Sequence, residues 1–149
     1  NAINKVKYLP RVHTYYCDQS NRNALENIME KIGINNFDVI LDDGSHIPEH
    51  QQITFATLFK YLSKEGVFII EDVHCSLNSD FIDKSGGFEY TTLGMLKTYE
   101  DNNQWVSKFL NNNELEYLNT NTQEVTVYGE KNLKVRPSGM SITSTITKK

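Results

Sequence analysis

Hydrophobic residues along this chain recur with two different periods, and the changes between them divide it into short elements. Arg11 to Cys17 (RVHTYYC) roughly alternates β-branched and aromatic residues with polar ones and predicts a strand. Leu25, Ile28, Met29 and Ile32 then fall on one face of a helix over Asn21–Ile32, with Ser20 as its cap and Gly33 as its stop. Phe37 to Leu41 is a short apolar run broken only by Asp38, the pattern of a strand buried on both faces of a parallel sheet. After Pro48, which suits a first helical turn, Phe55, Leu58, Phe59 and Leu62 form a second stripe that Gly66 closes. GVFII, residues 66–70, is the next buried strand, so the middle of the chain reads as a βαβ unit with both strand ends on one rim.

Beyond that rim the pattern loosens. Ser76 to Gly87 is polar and glycine-bearing and predicts a loop suited to ligand recognition, and a helix is expected from Leu93 to Leu110 with Trp105 packed inward. The asparagine-rich stretches at 111–113 and 119–121 read as polar loop. EVTVYG and SGMSITSTITKK alternate again and predict two antiparallel strands at the sheet's edge.

Composition narrows the function classes. A chain of 149 residues is the size of one domain and can bury a core without disulfides, so Cys17 and Cys75 are expected to be reduced and buried. A net charge of -4 with scattered lysines offers no stripe for neutralising phosphates, which argues against nucleic acid. No apolar run approaches the ~20 residues of a membrane span, and NAINKVKYLP lacks a signal peptide's apolar core, so a cytoplasmic protein without a membrane partner is expected.

The chemistry concentrates in DVILDDGSHIPEH, residues 38–50. Asp42 and Asp43 end one strand; Glu71 and Asp72 end the next. Ligands of open α/β sheets bind outside the carboxyl ends of the strands, and adjacent strands lie ~4.8 Å apart, so these acids can meet. Two carboxylates at ~4 Å repel by ~1 kcal/mol in water and ~4 kcal/mol at an effective dielectric of 20. Such a group needs protons or a cation, and oxygen donors select a hard ion such as magnesium or manganese. His46 stands beside them. The spelling His46-Ile47-Pro48-Glu49-His50 also fits an inverted zinc-hydrolase motif, but that requires both histidines on one helix, and Pro48 places His46 ahead of the helix.

FDVILDDGSHIPEHQ followed by GVFIIEDVHCS resembles the metal-dependent class I S-adenosylmethionine methyltransferases, specifically the macrocin and mycinamicin sugar O-methyltransferases and the related cephalosporin hydroxylase group. The resemblance runs from about Arg11 to Ser76 and implies a Rossmann-like α/β sheet, mostly parallel with an antiparallel C-terminal hairpin, in a single partial domain. It further implies magnesium held by Asp43, Glu71 and Asp72, His46 as general base, and S-adenosylmethionine near Asp18, Gln19 and Asp42. The implied reaction is methyl transfer to a hydroxyl of a sugar or glycosylated natural product, and a homo-oligomer is left open. Two departures stand out. None of the eight glycines precedes Gly33, whereas such enzymes cradle the cofactor with a glycine-rich turn after their first strand, so an N-terminally truncated fold is expected. Leu77 also follows Ser76 where relatives carry an aromatic. The competing reading is a ligand-binding remnant of the same fold without catalysis.

Overall fold

The computed structural model describes residues 9–129 and 141–149. Its four strands, β1 (Phe37–Asp42), β2 (Leu62–Ile70), β3 (Thr122–Tyr128) and β4 (Thr143–Lys148), form one open sheet in the order β1-β2-β4-β3. β1 and β2 are parallel, as the βαβ reading requires, and β4 enters antiparallel between β2 and β3. The expected C-terminal hairpin is present; residues 138–140, where its second strand was expected to begin, lie outside the described residues.

Helix α1 (Arg22–Ile32) precedes β1, and α2 (Pro48–Leu58) joins β1 to β2 through a 3-10 turn, Phe59–Tyr61. α3 (Ser79–Ser85), α4 (Thr92–Asn102) and α5 (Asn112–Asn121) follow. Asn21, not Ser20, caps α1 by accepting from the Ala24 amide, and Gly33 ends it in the left-handed region at φ 69°.

The core lies between α2 and one face of the sheet. Ile40, Phe68, Ile146 and Val125 form a row across all four strands. Above that sheet face, Phe55 meets Phe59, Phe68 and Trp105 at ring separations of 5.1–5.2 Å. α2 is buried nearly all round, because α1, α4 and α5 surround it as well as the sheet. Three of its buried polar residues, Gln51, Gln52 and Thr54, are bonded internally: Gln52 donates to the Tyr90 carbonyl at 2.8 Å and accepts from the Ser107 hydroxyl at 2.6 Å.

Several sequence expectations fail for identifiable reasons. RVHTYYC forms no strand: residues 12–18 have no regular structure, and Tyr16 is 98% exposed. Alternation states only a preference for a half-buried surface, and a strand needs a neighbour to pair with. β1 is not covered on both faces, since Val39 and Leu41 are about half exposed on the side away from α2. Gly66 does not close α2 but lies inside β2, where a Cβ would press on the carbonyls of Phe37 and Ser63 at 2.9 Å. The long helix expected to Leu110 stops at Asn103, left-handed at φ 53°, and the chain then turns so that Trp105 can bond Asn119 through its amide and Thr122 through its indole. The loop expected at 76–87 contains α3. Asn111 is the cap of α5, in a reciprocal box with Glu114, rather than loop. Both cysteines are free, as expected, but half-buried.

Candidate metal centre

Register decides where the acids go. Asp42 pairs with Ile70 at the end of the β1–β2 ladder, and the Glu71 amide continues it by donating to the Asp42 carbonyl at 3.0 Å. Side chains alternate across a strand, so Asp42 turns inward and is 5% exposed, while Asp43 turns to the rim. The next residues break the strand geometry. His46 at φ 56° and Asp72 at φ 51° both adopt the left-handed conformation, a state costing a non-glycine residue about 1 kcal/mol or more. Those two inversions bring their side chains together.

The result is a cluster of Asp43, His46 and Asp72, whose donor atoms all lie within 4.8 Å of one another. His46 Nε2 stands 3.8 Å from Asp43 Oδ1 and 3.6 Å from Asp72 Oδ2. On the other side of the same carboxylate, His74 Nδ1 lies 3.5 Å from Asp72 Oδ1, close enough to pair but not aligned for a hydrogen bond. His46 Nδ1 is buried without a hydrogen-bond partner, so Nε2 is the nitrogen that faces the cluster.

Of the three expected metal ligands the structure thus unites two, Asp43 and Asp72. Glu71 sits beside them on the rim, but its side chain is not part of the cluster; its backbone is fixed between Asp42 and Gln51, whose amide donates to the Glu71 carbonyl at 2.9 Å. His46 takes the third position. His50, on α2, bonds Ser45 Oγ through Nδ1 at 2.9 Å and stays outside the cluster, so the two histidines of the inverted zinc motif do not converge.

The residues assigned to the cofactor form a second, adjoining network. Gln19 Nε2 donates to both oxygens of Asp42, at 3.0 and 3.2 Å, and to Thr54 Oγ1 at 3.1 Å. Its Oε1 accepts from the Ser45 amide at 2.7 Å, and the Gly44 amide also donates to Asp42. Burial pushes the Asp42 carboxyl above its usual range, opposed by the bonds from Gln19 and Gly44. A Cβ at Gly44 would displace the Gln19 amide from this network. Asp18 is exposed and turned to Ser20, whose amide and hydroxyl donations hold its carboxyl below the usual range. Gln19 and Asp42 are therefore brought together, and Asp18 lies apart from them.

Sequence reading missed three supports of this site: Gln51, Thr54 and Ser141, whose hydroxyl accepts from the Asp72 amide at 3.2 Å. No local signal marks them, since each acts across at least 20 residues. A cavity of about 460 Å³ between α1, α2 and α5 is lined by the Arg22–Glu114 and Lys60–Glu26 pairs and touches none of the cluster residues.

No family model matches the chain. It is 37% identical over 92 residues to 8-demethyl-8-alpha-L-rhamnosyl tetracenomycin-C 2'-O-methyltransferase of Streptomyces olivaceus, covering 62% of this chain and 24% of the relative. Mycinamicin VI 2''-O-methyltransferase of Micromonospora griseorubida is 34% identical over 93 residues, 61% of this chain and 23% of that one. The chain thus spans about a quarter of the length of the curated relatives it matches. In three dimensions it resembles the MycE methyltransferase of the mycinamycin pathway, solved in complex with Mg, SAH and mycinamycin VI, with a TM-score of 0.66 and 26% identity over 93% of this chain and 32% of that one. The resemblance read from DDGSH and IED therefore holds at the level of sequence and of fold.

Proposed function

We propose that these residues are the metal- and base-bearing part of a class I methyltransferase domain, and that the protein transfers a methyl group from S-adenosylmethionine to a hydroxyl of a sugar or glycosylated natural product with magnesium. The observation that carries this reading is the meeting of Asp43, His46 and Asp72 at the ends of two neighbouring parallel strands, in a chain similar to sugar O-methyltransferases.

The donor set fits a hard divalent ion: two carboxylates face one another at a solvent-reachable rim, with Glu71 adjoining. Asp43 and Asp72 would hold magnesium, with the remaining positions left to water and the substrate hydroxyl. When bound, the ion lowers the pKa of a coordinated hydroxyl. His46 would then accept the hydroxyl proton at Nε2, the nitrogen that faces the carboxylates. His74 Nδ1 stands 3.5 Å from the far oxygen of Asp72. Gln19 fixes the Ser45 amide and so the approach of the 43–46 turn. Asp42 is buried and bonded to Gln19, so it supports the cofactor side through that network and leaves direct contact to Asp18 and backbone. The same closed Gln19–Asp42 pair favours the second reading, a scaffold that binds without catalysing.

Calorimetric titration with Mg²⁺ and a methyl-transfer assay on a deoxysugar glycoside separate them. Asp43→Asn and Asp72→Asn should each abolish Mg²⁺ binding, while His46→Ala keeps the ion and loses transfer. Mg²⁺ affinity indifferent to both aspartates would reject the site.

A further inference from the structure

We infer that Zn²⁺ occupies the same cluster by recruiting His46 as a ligand, competes there with Mg²⁺, and silences the site by consuming the nitrogen that would accept the proton. The inference rests on the reading above that the cluster is the divalent-cation site.

Geometry is the first argument. Donor atoms about 2.1 Å from a tetrahedral ion lie about 3.4 Å from each other, whereas cis donors at the same distance from an octahedral magnesium lie about 3.0 Å apart. His46 Nε2 is 3.6 Å from Asp72 Oδ2 and 3.8 Å from Asp43 Oδ1, a spacing nearer the tetrahedral value. Glu71, which a carboxylate-only magnesium site would enlist, stands outside the cluster.

Donor chemistry is the second. An imidazole adds little for magnesium, which prefers oxygen and keeps its waters, but favours zinc strongly. Asp43, Asp72 and His46 are three protein ligands with room for a fourth from water, the ligand count of an open zinc site. A ligating carboxylate is commonly held from its other oxygen, and His74 Nδ1 stands 3.5 Å from Asp72 Oδ1.

The two occupancies exclude each other at one atom. His46 Nδ1 is buried, so Nε2 must serve either as proton acceptor beside magnesium or as a lone-pair donor to zinc. Ion identity, not ion presence, would then set whether the base is free. His50 plays no part, because its Nδ1 is engaged by Ser45 Oγ.

The test measures Zn²⁺ affinity by competition with a chromophoric chelator, and Mg²⁺ affinity by calorimetry, on the wild-type chain and on His46→Ala, His46→Gln and His50→Ala. Circular dichroism confirms that each is folded. His46→Ala and His46→Gln should weaken Zn²⁺ at least tenfold and change Mg²⁺ less than twofold, His50→Ala should change neither, and each ion should displace the other. Equal losses of both ions in the His46 variants, or Zn²⁺ affinity indifferent to His46, would overturn the inference. A chain that binds Zn²⁺ through His46 but no Mg²⁺ at all would sink the magnesium reading and overturn the competition with it, leaving only the zinc ligation by His46.

Discussion

Gln19→Ala tests whether Gln19 is what makes the buried Asp42 tolerable. The substitution deletes an amide that donates to the buried Asp42 carboxylate and to Thr54, and the oxygen that accepts from the Ser45 amide. Hydrogen bonds to charged groups contribute about 1.5–3 kcal/mol and neutral ones about 0.5–1.5 kcal/mol. Gln19 is only half-buried, so water replaces part of what is lost, and a destabilisation of about 2–4 kcal/mol is expected. With an unfolding entropy of ~2.1 cal/mol/K per residue, 149 residues give roughly 0.3 kcal/mol/K, so the melting temperature should fall by about 7–13 °C. The assay is thermal and urea unfolding of wild type, Gln19→Ala, Asp42→Asn and the double variant. Residues in direct contact couple, and the cycle should show an interaction of about 1 kcal/mol or more, since Gln19 matters less once the carboxylate is neutral. A fall under 2 °C, or additive effects, would refute the claim that Gln19 is what makes the buried Asp42 tolerable.

Three further outcomes follow from the structure. The folded-state pKa of Asp42 is raised by burial, so between its ordinary value of 3.8 and the raised value the folded chain binds more protons than the unfolded one. Its contribution is therefore fully present below pH 3.8 and lost as pH rises through the raised value; urea midpoints of wild type minus Asp42→Asn should decline over that window, and a rising difference would reverse the assignment. Gly94→Ala would drive a methyl group into the Phe88 carbonyl under the first turn of α4 and should destabilise by about 1–3 kcal/mol in chemical denaturation. Trp105→Phe removes the indole donor to Thr122 Oγ1 and part of the aromatic cluster, and a loss of about 1–3 kcal/mol is expected by the same measurement.

The βαβ unit was legible because two apolar runs and a proline-started helix each obey a local rule, and the rim of acids followed from where those runs end. How Glu71 and Asp72 divide at the rim was not legible for the opposite reason: strand alternation orders residues only while the strand lasts, and Asp72 inverts its backbone immediately after. The buried Gln51, Gln52, Thr54 and Thr57 of α2 were invisible to periodicity, since a helix enclosed on every side shows no polar face. Asn111 read as polar loop in the sequence yet starts α5, and Asn103, inside the helix expected to Leu110, ends α4. Their roles depend on backbone conformation, which single-residue composition does not encode.

The left-handed backbones at His46 and Asp72 also leave a mark on how such a chain would drift. Glycine adopts that conformation freely, so a glycine at either position would relax the turn while erasing the chemistry. A lineage released from catalysis has a downhill route to thermal robustness through codons 46 and 72, and one still under selection must forgo it. Surveying which residues populate these two positions across descendants would tell a working catalyst from a relic without any assay.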